Sequence, residues 1–206
     1  MWKVFLRIVR SARKGLDIQH RSFTERFLDA NELFLFNQMA PWDQYHTVDT
    51  AMHILDNCTG AGGADAGAGG AGGAGGAGGA GGAGGRTNTG IAAVGETKIQ
   101  LLTLIKAALL HDIGKVKGYA GLPTRLCVSF IRRVFPNYRR RHADRYGNRI
   151  QYALYVDLVH SARGAYMALS AGVLPEVADL IRHHHDEPHE SDSEELKILQ
   201  EADAKS

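Results

Sequence analysis

Cysteine is scarce in this sequence, and long apolar runs are missing. Only Cys58 and Cys127 occur among 206 residues, without a CxxC spacing, which argues against a disulfide framework and a thiolate zinc site. No apolar run approaches the ~20 residues of a membrane span, and the basic N-terminus lacks the apolar segment of a signal peptide. We therefore expect a cytoplasmic protein.

The chain also lacks a large excess of either charge. Its 24 Lys and Arg residues nearly balance 22 Asp and Glu residues, so the net charge of +2 gives no global argument for nucleic-acid binding. Locally, Arg125 to Arg149 holds eight arginines with Asp144 as the single acid, together with Phe130, Phe135, Tyr138 and Tyr146. This mixture is typical either of a solvated surface or of one that recognises a nucleotide or single-stranded nucleic acid.

There is little of the alternating pattern that predicts strands. Apolar residues recur instead at helical spacing, which predicts an all-α, bundle-like domain. The helix from Ile99 to Leu109 is strongly apolar and should be central and buried. Further helices are expected at Arg125 to Val134, Gln151 to Gly172, Pro175 to His184 and Glu194 to Ala204.

Residues 1–40 are expected to form N-terminal helices that pack on a domain of residues 41–206. Met1 to Lys14 has amphipathic spacing, so it either packs on this domain or lies on an anionic membrane, with peripheral contact through residues 1–16. Ser22 and Glu25 have the form of a capping box that opens a helix towards Met39. A next helix is expected from Trp42, with Asp43 as its N-cap, to about Asn57.

Residues 59–90 are mostly alanine and glycine in Ala-Gly-Gly units. Glycine loses much backbone entropy on ordering, and alanine offers little apolar area to compensate for that loss. We therefore predict a flexible, disordered insertion between two helices. The entropy of closing such a loop grows only slowly with its length, so the fold can carry it.

The chain has ten histidines, and each of them alone is weak evidence for a site. His111 and Asp112 are more specific, because a nitrogen and an oxygen ligand at the end of a buried helix can chelate one divalent ion. The alternative is that Asp112 and Lys115 form only an exposed ion pair.

The residues His111-Asp112-Ile-Gly-Lys115 resemble the HD superfamily of metal-dependent phosphohydrolases, in its HDIG form. That signature is a histidine, then a His-Asp pair, then a distant aspartate, and His46, His111, Asp112 and Asp203 match it in order. The chain also resembles the binuclear, HD-GYP-like members, whose further histidines match His160, His184 and His185. His183 is then spare. No Gly-Tyr-Pro follows His185, so hydrolysis of cyclic-di-GMP is not implied.

This resemblance implies one or two divalent ions, with iron, manganese, zinc, magnesium, cobalt and nickel all open. His46, His111, Asp112 and Asp203 would hold one ion. Asp112 would bridge it to a second ion held by the three later histidines. Catalysis is expected from Asp112 and from Lys115, whose ammonium is placed to neutralise a phosphate oxygen. Arg163 either assists or is an ordinary solvated charge.

The implied activity is hydrolysis of a phosphomonoester or phosphodiester by a metal-activated water. The expected partner is a phosphorylated small molecule, most simply a nucleotide. Two alternatives remain open: an HD-type di-iron oxygenase, and a non-catalytic, metal-stabilised module that senses a nucleotide.

Overall fold

The computed structural model describes residues 16–59 and 92–206, and within these ranges it contains helices and no strand. The prediction of an all-α fold is confirmed. The predicted helix at residues 1–14 and the glycine-rich segment from residue 60 lie outside the described ranges. The helices are α1 (Ile18–Phe27), α2 (Ala30–Asn37), α3 (Pro41–Thr59), α4 (Ala92–Leu110), α5 (Leu122–Val134), α6 (Pro136–His142), α7 (Arg149–Ser170), α8 (Pro175–His183) and α9 (Glu194–Lys205), with a 3-10 turn at Ile113–Lys115.

The single helix predicted from Ser22 to Met39 is wrong, because the chain forms α1 and α2 with a break between them. Ser22 lies inside α1, and the capping box is formed by Asp29 and Glu32 instead. The Asp29 carboxylate accepts from the Glu32 N–H, and the Glu32 carboxylate accepts from the Asp29 N–H. Glu32 is buried and also binds Lys106 of α4, a partner that the exposed Glu25 lacks.

Helix α3 begins at Pro41, two residues before the predicted N-cap. Proline suits the first turn of a helix, because the missing N–H has no partner there in any case. Asp43 therefore lies inside the first turn, where it is buried and ion-paired with Arg125. Its expected role as N-cap is wrong.

The core is built around α4, as its apolar sequence predicts. Ile105, Leu109 and Leu110 are fully buried, and α4 contacts α3, α8 and α9. Helix α7 packs on α8 and on the turn that follows α4. The described N-terminal helices also reach this core, through Leu28, Leu35 and Phe36.

Helices α5 and α6 pack on α7 beside a smaller cluster of buried residues that includes Val128 and Leu154. Helix α6 was not predicted, because its arginine-rich sequence has no apolar face. Pro136 occupies its first turn and starts a new helix directly after Phe135. Within the described ranges, no helix is long and apolar enough to cross a membrane.

Candidate metal centre

The turn after α4 carries His111 and Asp112 and rests on α7. Gly114 makes this approach possible, because a Cβ at that position would overlap the carbonyl oxygen of His160 and lie 2.9 Å from the Gly164 nitrogen. No residue with a side chain fits there without a shift of backbone. The glycine therefore brings the His111–Asp112 pair next to His160.

Three buried histidines are held in the same tautomer. The Nδ1–H groups of His111, His160 and His184 donate to the carbonyl oxygens of Ala108, Asp157 and Ile181 at 2.8, 2.7 and 2.7 Å. Their Nε2 atoms are buried and make no hydrogen bond. Since Nδ1 carries the proton, each Nε2 presents a lone pair, which is how metal-binding histidines are commonly oriented.

Two carboxylates face these nitrogens. Asp112 Oδ1 lies 3.5 Å from His160 Nε2 and 3.7 Å from His111 Nε2. Asp203 Oδ1 lies 2.8 Å from His46 Nε2 and 3.5 Å from His111 Nε2. The second carboxylate thus links α9 to the histidines of α3 and of the turn.

The structure brings all seven predicted metal ligands together. Their ligand atoms form three overlapping groups, each with its atoms within 4.8 Å of one another: His46, His111 and Asp112; His111, His184 and Asp203; His160, His184 and His185. His183 stands apart, with a side chain that is 38% exposed and bonded to its own helix. The donor set, imidazole with carboxylate, suits divalent iron, manganese and zinc.

The electrostatics favour ionised carboxylates at Asp112 and Asp203 and neutral imidazoles at His160 and His184, whereas the pKa of His111 is raised by the neighbouring Asp112. Burial alone would raise the pKa of the Asp112 carboxyl, but the charges of Lys115 and His111 outweigh it and hold that pKa well below its usual range. Burial would also raise the pKa of Asp203, but the nearby His111 and the hydrogen-bonded His46 outweigh it and hold that pKa well below its usual range. Burial lowers the pKa of His160 well below its usual value and that of His184 to about 4. Neutral imidazole and ionised carboxylate are the forms that bind metal.

Lys115 lies against Asp112 rather than in open solvent. Its Nζ is 2.7 Å from Oδ1 and 2.8 Å from Oδ2, and its side chain is 14% exposed. The ion pair considered from the sequence is therefore present, but it is buried. Lys115 also lines the pocket described below. Arg163 is exposed and does not line that pocket.

A pocket of about 470 Å³ opens beside the histidines, lined by residues from α3, α5, α7 and α9 and from the segment that follows α8. Trp42, Tyr45 and Tyr119 form its aromatic wall. The Arg125 guanidinium lies 5.0 Å from the ring centre of Trp42 and 4.2 Å from that of Tyr119. It also pairs with Asp43. Burial raises the pKa of Tyr119 to about 12, so this phenol stays neutral.

Asp157 is a further pocket residue that the sequence analysis missed. It lies three residues before His160, is buried, and binds Arg139 of α6 at 2.8 Å. Arg132 approaches the same carboxylate at 3.8 Å. The spacing from His160 was a usable signal, because residues three apart lie on one face of a helix.

Away from the pocket, the aromatic residues of the arginine-rich stretch are at the surface. Phe130, Phe135, Tyr138 and Tyr146 are 46%, 54%, 47% and 88% exposed. Recognition of a nucleotide or of single-stranded nucleic acid by this surface stays a prediction.

A model of the HD domain family matches residues 89–206, which is more than half of the chain. The matched region contains six of the seven predicted ligands, whereas His46 precedes it. No curated protein and no solved structure matches the chain. The finer resemblance to HDIG and HD-GYP-like members stays a prediction.

Proposed function

The chain belongs to the HD domain family, and from that premise we propose that it is a metal-dependent phosphohydrolase. Its substrate would be a phosphomonoester or phosphodiester, with a nucleotide as the expected compound. One observation carries the proposal: three buried histidines present unbonded Nε2 atoms beside two carboxylates. Such a cluster is costly unless a cation satisfies it.

The ligands divide most simply as the family resemblance implies. His46, His111, Asp112 and Asp203 would hold one ion, and Asp112, His160, His184 and His185 a second. When bound, such ions polarise a phosphoryl oxygen and make water a better nucleophile at neutral pH. Asp112 fits a shared ligand, because it lies near both His111 and His160.

The remaining pocket residues suit a phosphorylated, aromatic substrate. Lys115, Arg125, Arg132 and Arg133 line the pocket together with six aspartates. With divalent ions bound to Asp112 and Asp203, these basic groups would favour an anionic group over a neutral one. Trp42, Tyr45 and Tyr119 offer apolar ring surface on which a nucleobase can pack. Lys115 orients Asp112 through their ion pair, in addition to any contact with substrate.

The test combines metal analysis with turnover of aryl phosphates, aryl phosphodiesters and nucleotides by the same preparation. Wild-type protein should contain one to two divalent ions per chain and hydrolyse at least one of these esters, with release of phosphate from a monoester or of the aryl alcohol from a diester. Asp112→Asn should lose most bound metal and on the order of a thousandfold in kcat/KM. His183→Ala is the matched control, since that histidine lies outside the cluster, and it should retain both.

Two results would contradict the proposal in different ways. Oxygen consumption with oxidative cleavage, and no release of phosphate, would indicate the di-iron oxygenase. Binding of metal and nucleotide with neither hydrolysis nor oxidative cleavage would indicate the sensing module.

A further inference from the structure

Arg132 of α5 reaches into the metal centre. Its Nη1 donates a hydrogen bond to His185 Nε2 at 3.0 Å. The side chain is 37% exposed, and both residues line the pocket. One guanidinium therefore contacts a predicted metal ligand while it remains accessible from the pocket.

This hydrogen bond and coordination of His185 exclude each other. A neutral imidazole has one lone pair, and here that lone pair accepts from Arg132. If Nε2 binds a metal ion, its lone pair is used. If Nδ1 binds the ion, Nε2 carries the proton and cannot accept. Either mode releases the Arg132 N–H beside the bound ion.

The charge of Arg132 is also less well balanced than those of Lys115 and Arg125. Lys115 contacts Asp112 at 2.7 Å, and Arg125 pairs with Asp43. The only carboxylate within 4 Å of Arg132 in the described ranges is Asp157, at 3.8 Å. Arg139 already holds that carboxylate at 2.8 Å.

The placement of Arg132 on α5 supports a role inside the pocket. Arg125, Ser129 and Arg132 follow one another at spacings of four and three residues and all line the pocket, so one face of α5 points into it. The Ser129 hydroxyl has no hydrogen-bond partner among the described side chains and backbone. This face offers a hydroxyl and a planar guanidinium, which suit the oxygens of a phosphate.

We propose that Arg132, supported by Ser129, forms an anion subsite that binds a phosphate oxygen of the substrate next to the metal ions, and that coordination of His185 frees Arg132 to do so. The subsite rests on the proposed function for its ligand class. It assigns to Arg132 the phosphate contact that the sequence alone suggested for Lys115, whose charge is held by Asp112.

The test measures binding of inorganic phosphate to manganese-loaded protein by calorimetry, with metal content determined on the same samples. Arg132→Gln should weaken phosphate binding by about tenfold to a hundredfold, the range of one charge-assisted hydrogen bond. Its manganese content should not fall, because the substitution removes a competitor for His185. Arg132→Lys should fall between wild type and Arg132→Gln.

Arg141→Gln is the matched control, because Arg141 is exposed on α6 and does not line the pocket. It should bind phosphate as wild type does. The proposal is overturned if wild-type protein does not bind phosphate, if Arg132→Gln binds it equally well, or if that variant loses manganese. The last result would make Arg132 a support for His185 only.

Phosphate binding requires no turnover, so the two proposals fail separately. A protein that hydrolyses no ester but loses phosphate affinity in Arg132→Gln would contradict the enzyme and keep the subsite. A protein that hydrolyses the esters, but whose phosphate affinity does not depend on Arg132, would support the enzyme and contradict the subsite.

Discussion

Gly114 follows the His111–Asp112 pair by two residues and lies against the backbone of α7. The atoms that a Cβ would meet are the carbonyl group of His160 and the Gly164 nitrogen, and backbone atoms cannot rotate away as side chains do. Any larger residue must push the turn off α7. Because the turn carries two predicted ligands and α7 carries a third, such a shift also changes the metal centre.

Gly114→Ala should lower the free energy of unfolding by about 3 kcal/mol or more, as measured by urea denaturation, and should reduce bound metal. Gly164→Ala is the graded comparison. Its Cβ would lie 3.2 Å from an Ile181 methyl and 3.3 Å from the Gly114 nitrogen. The gain of ~1 kcal/mol for alanine in a helix largely offsets that contact. Equal losses in both variants would contradict this account.

Some site residues could be recognised from the sequence around them, and others could not. His111 and Asp112 are adjacent, and the other ligands match a family order, so the sequence was enough to nominate them. Asp43 and Arg125 pair across 82 residues. Nothing near either residue in the sequence indicates the other, because the pairing follows from how α3 and α5 meet.

At the scale of elements, Glu32 joins α2 to α4. It is 2% exposed, completes the capping box of α2 and lies 2.7 Å from Lys106 Nζ. Removing one partner of such a buried pair leaves a charge without compensation, and this costs more than removing both.

Glu32→Gln should therefore destabilise the protein by about 3 kcal/mol, while Glu32→Gln combined with Lys106→Met should recover part of that loss. The measurement is a double-mutant cycle by urea denaturation. Asn37→Ala, an exposed change on the same helix, serves as the control. If the two single changes simply add, the ion pair contributes nothing to docking α2.

Helices could be predicted from periodicity, but their ends could not. The break between α1 and α2 depends on Asp29, whose cap competes with the similar Ser22–Glu25 pattern. Burial of Glu32 against Lys106 decides between them, and that contact spans 74 residues. Helix α6 could not be predicted either, because it is held by an ion pair between Arg139 and Asp157 of the following helix.

At the scale of the whole molecule, α3, α7, α8, α9 and the turn after α4 meet at one cluster of ionisable groups. His184 has a pKa of about 4 in the fold, against an ordinary value of 6.5, because burial disfavours its charged form. His160 and His185 are shifted in the same direction by burial. The pKa of His111 is raised instead, as the charges of Asp112 and Asp203 outweigh its burial.

When folding lowers the pKa of a histidine, the contribution of that histidine to stability is complete at pH values above its pKa in the unfolded chain. That contribution is lost as the pH falls from about 6.5 towards 4. After metal removal, lowering the pH from 7 to 5 should cost ~2 kcal/mol through His184 alone. His160 and His185 add to this loss, and His111 opposes it. Asp112 and Asp203 lose their contributions only below pH 3.8.

Urea denaturation of chelator-treated protein at pH 7, 6 and 5 measures this loss. His184→Gln should flatten the pH dependence, and His183→Gln should not. A free energy of unfolding that is equal at pH 7 and pH 5 would show that folding does not lower the net proton affinity of the cluster histidines.

Trp42 is one of only two tryptophans in the chain, and it lies in the pocket wall under the Arg125 guanidinium. Indole emission depends on the charges and the polarity around the ring. With Trp2 replaced by phenylalanine, all tryptophan fluorescence would originate at the pocket. Trp42 therefore serves as an intrinsic fluorescent probe, and unlabelled compounds can be screened for binding in the pocket by the change in tryptophan emission.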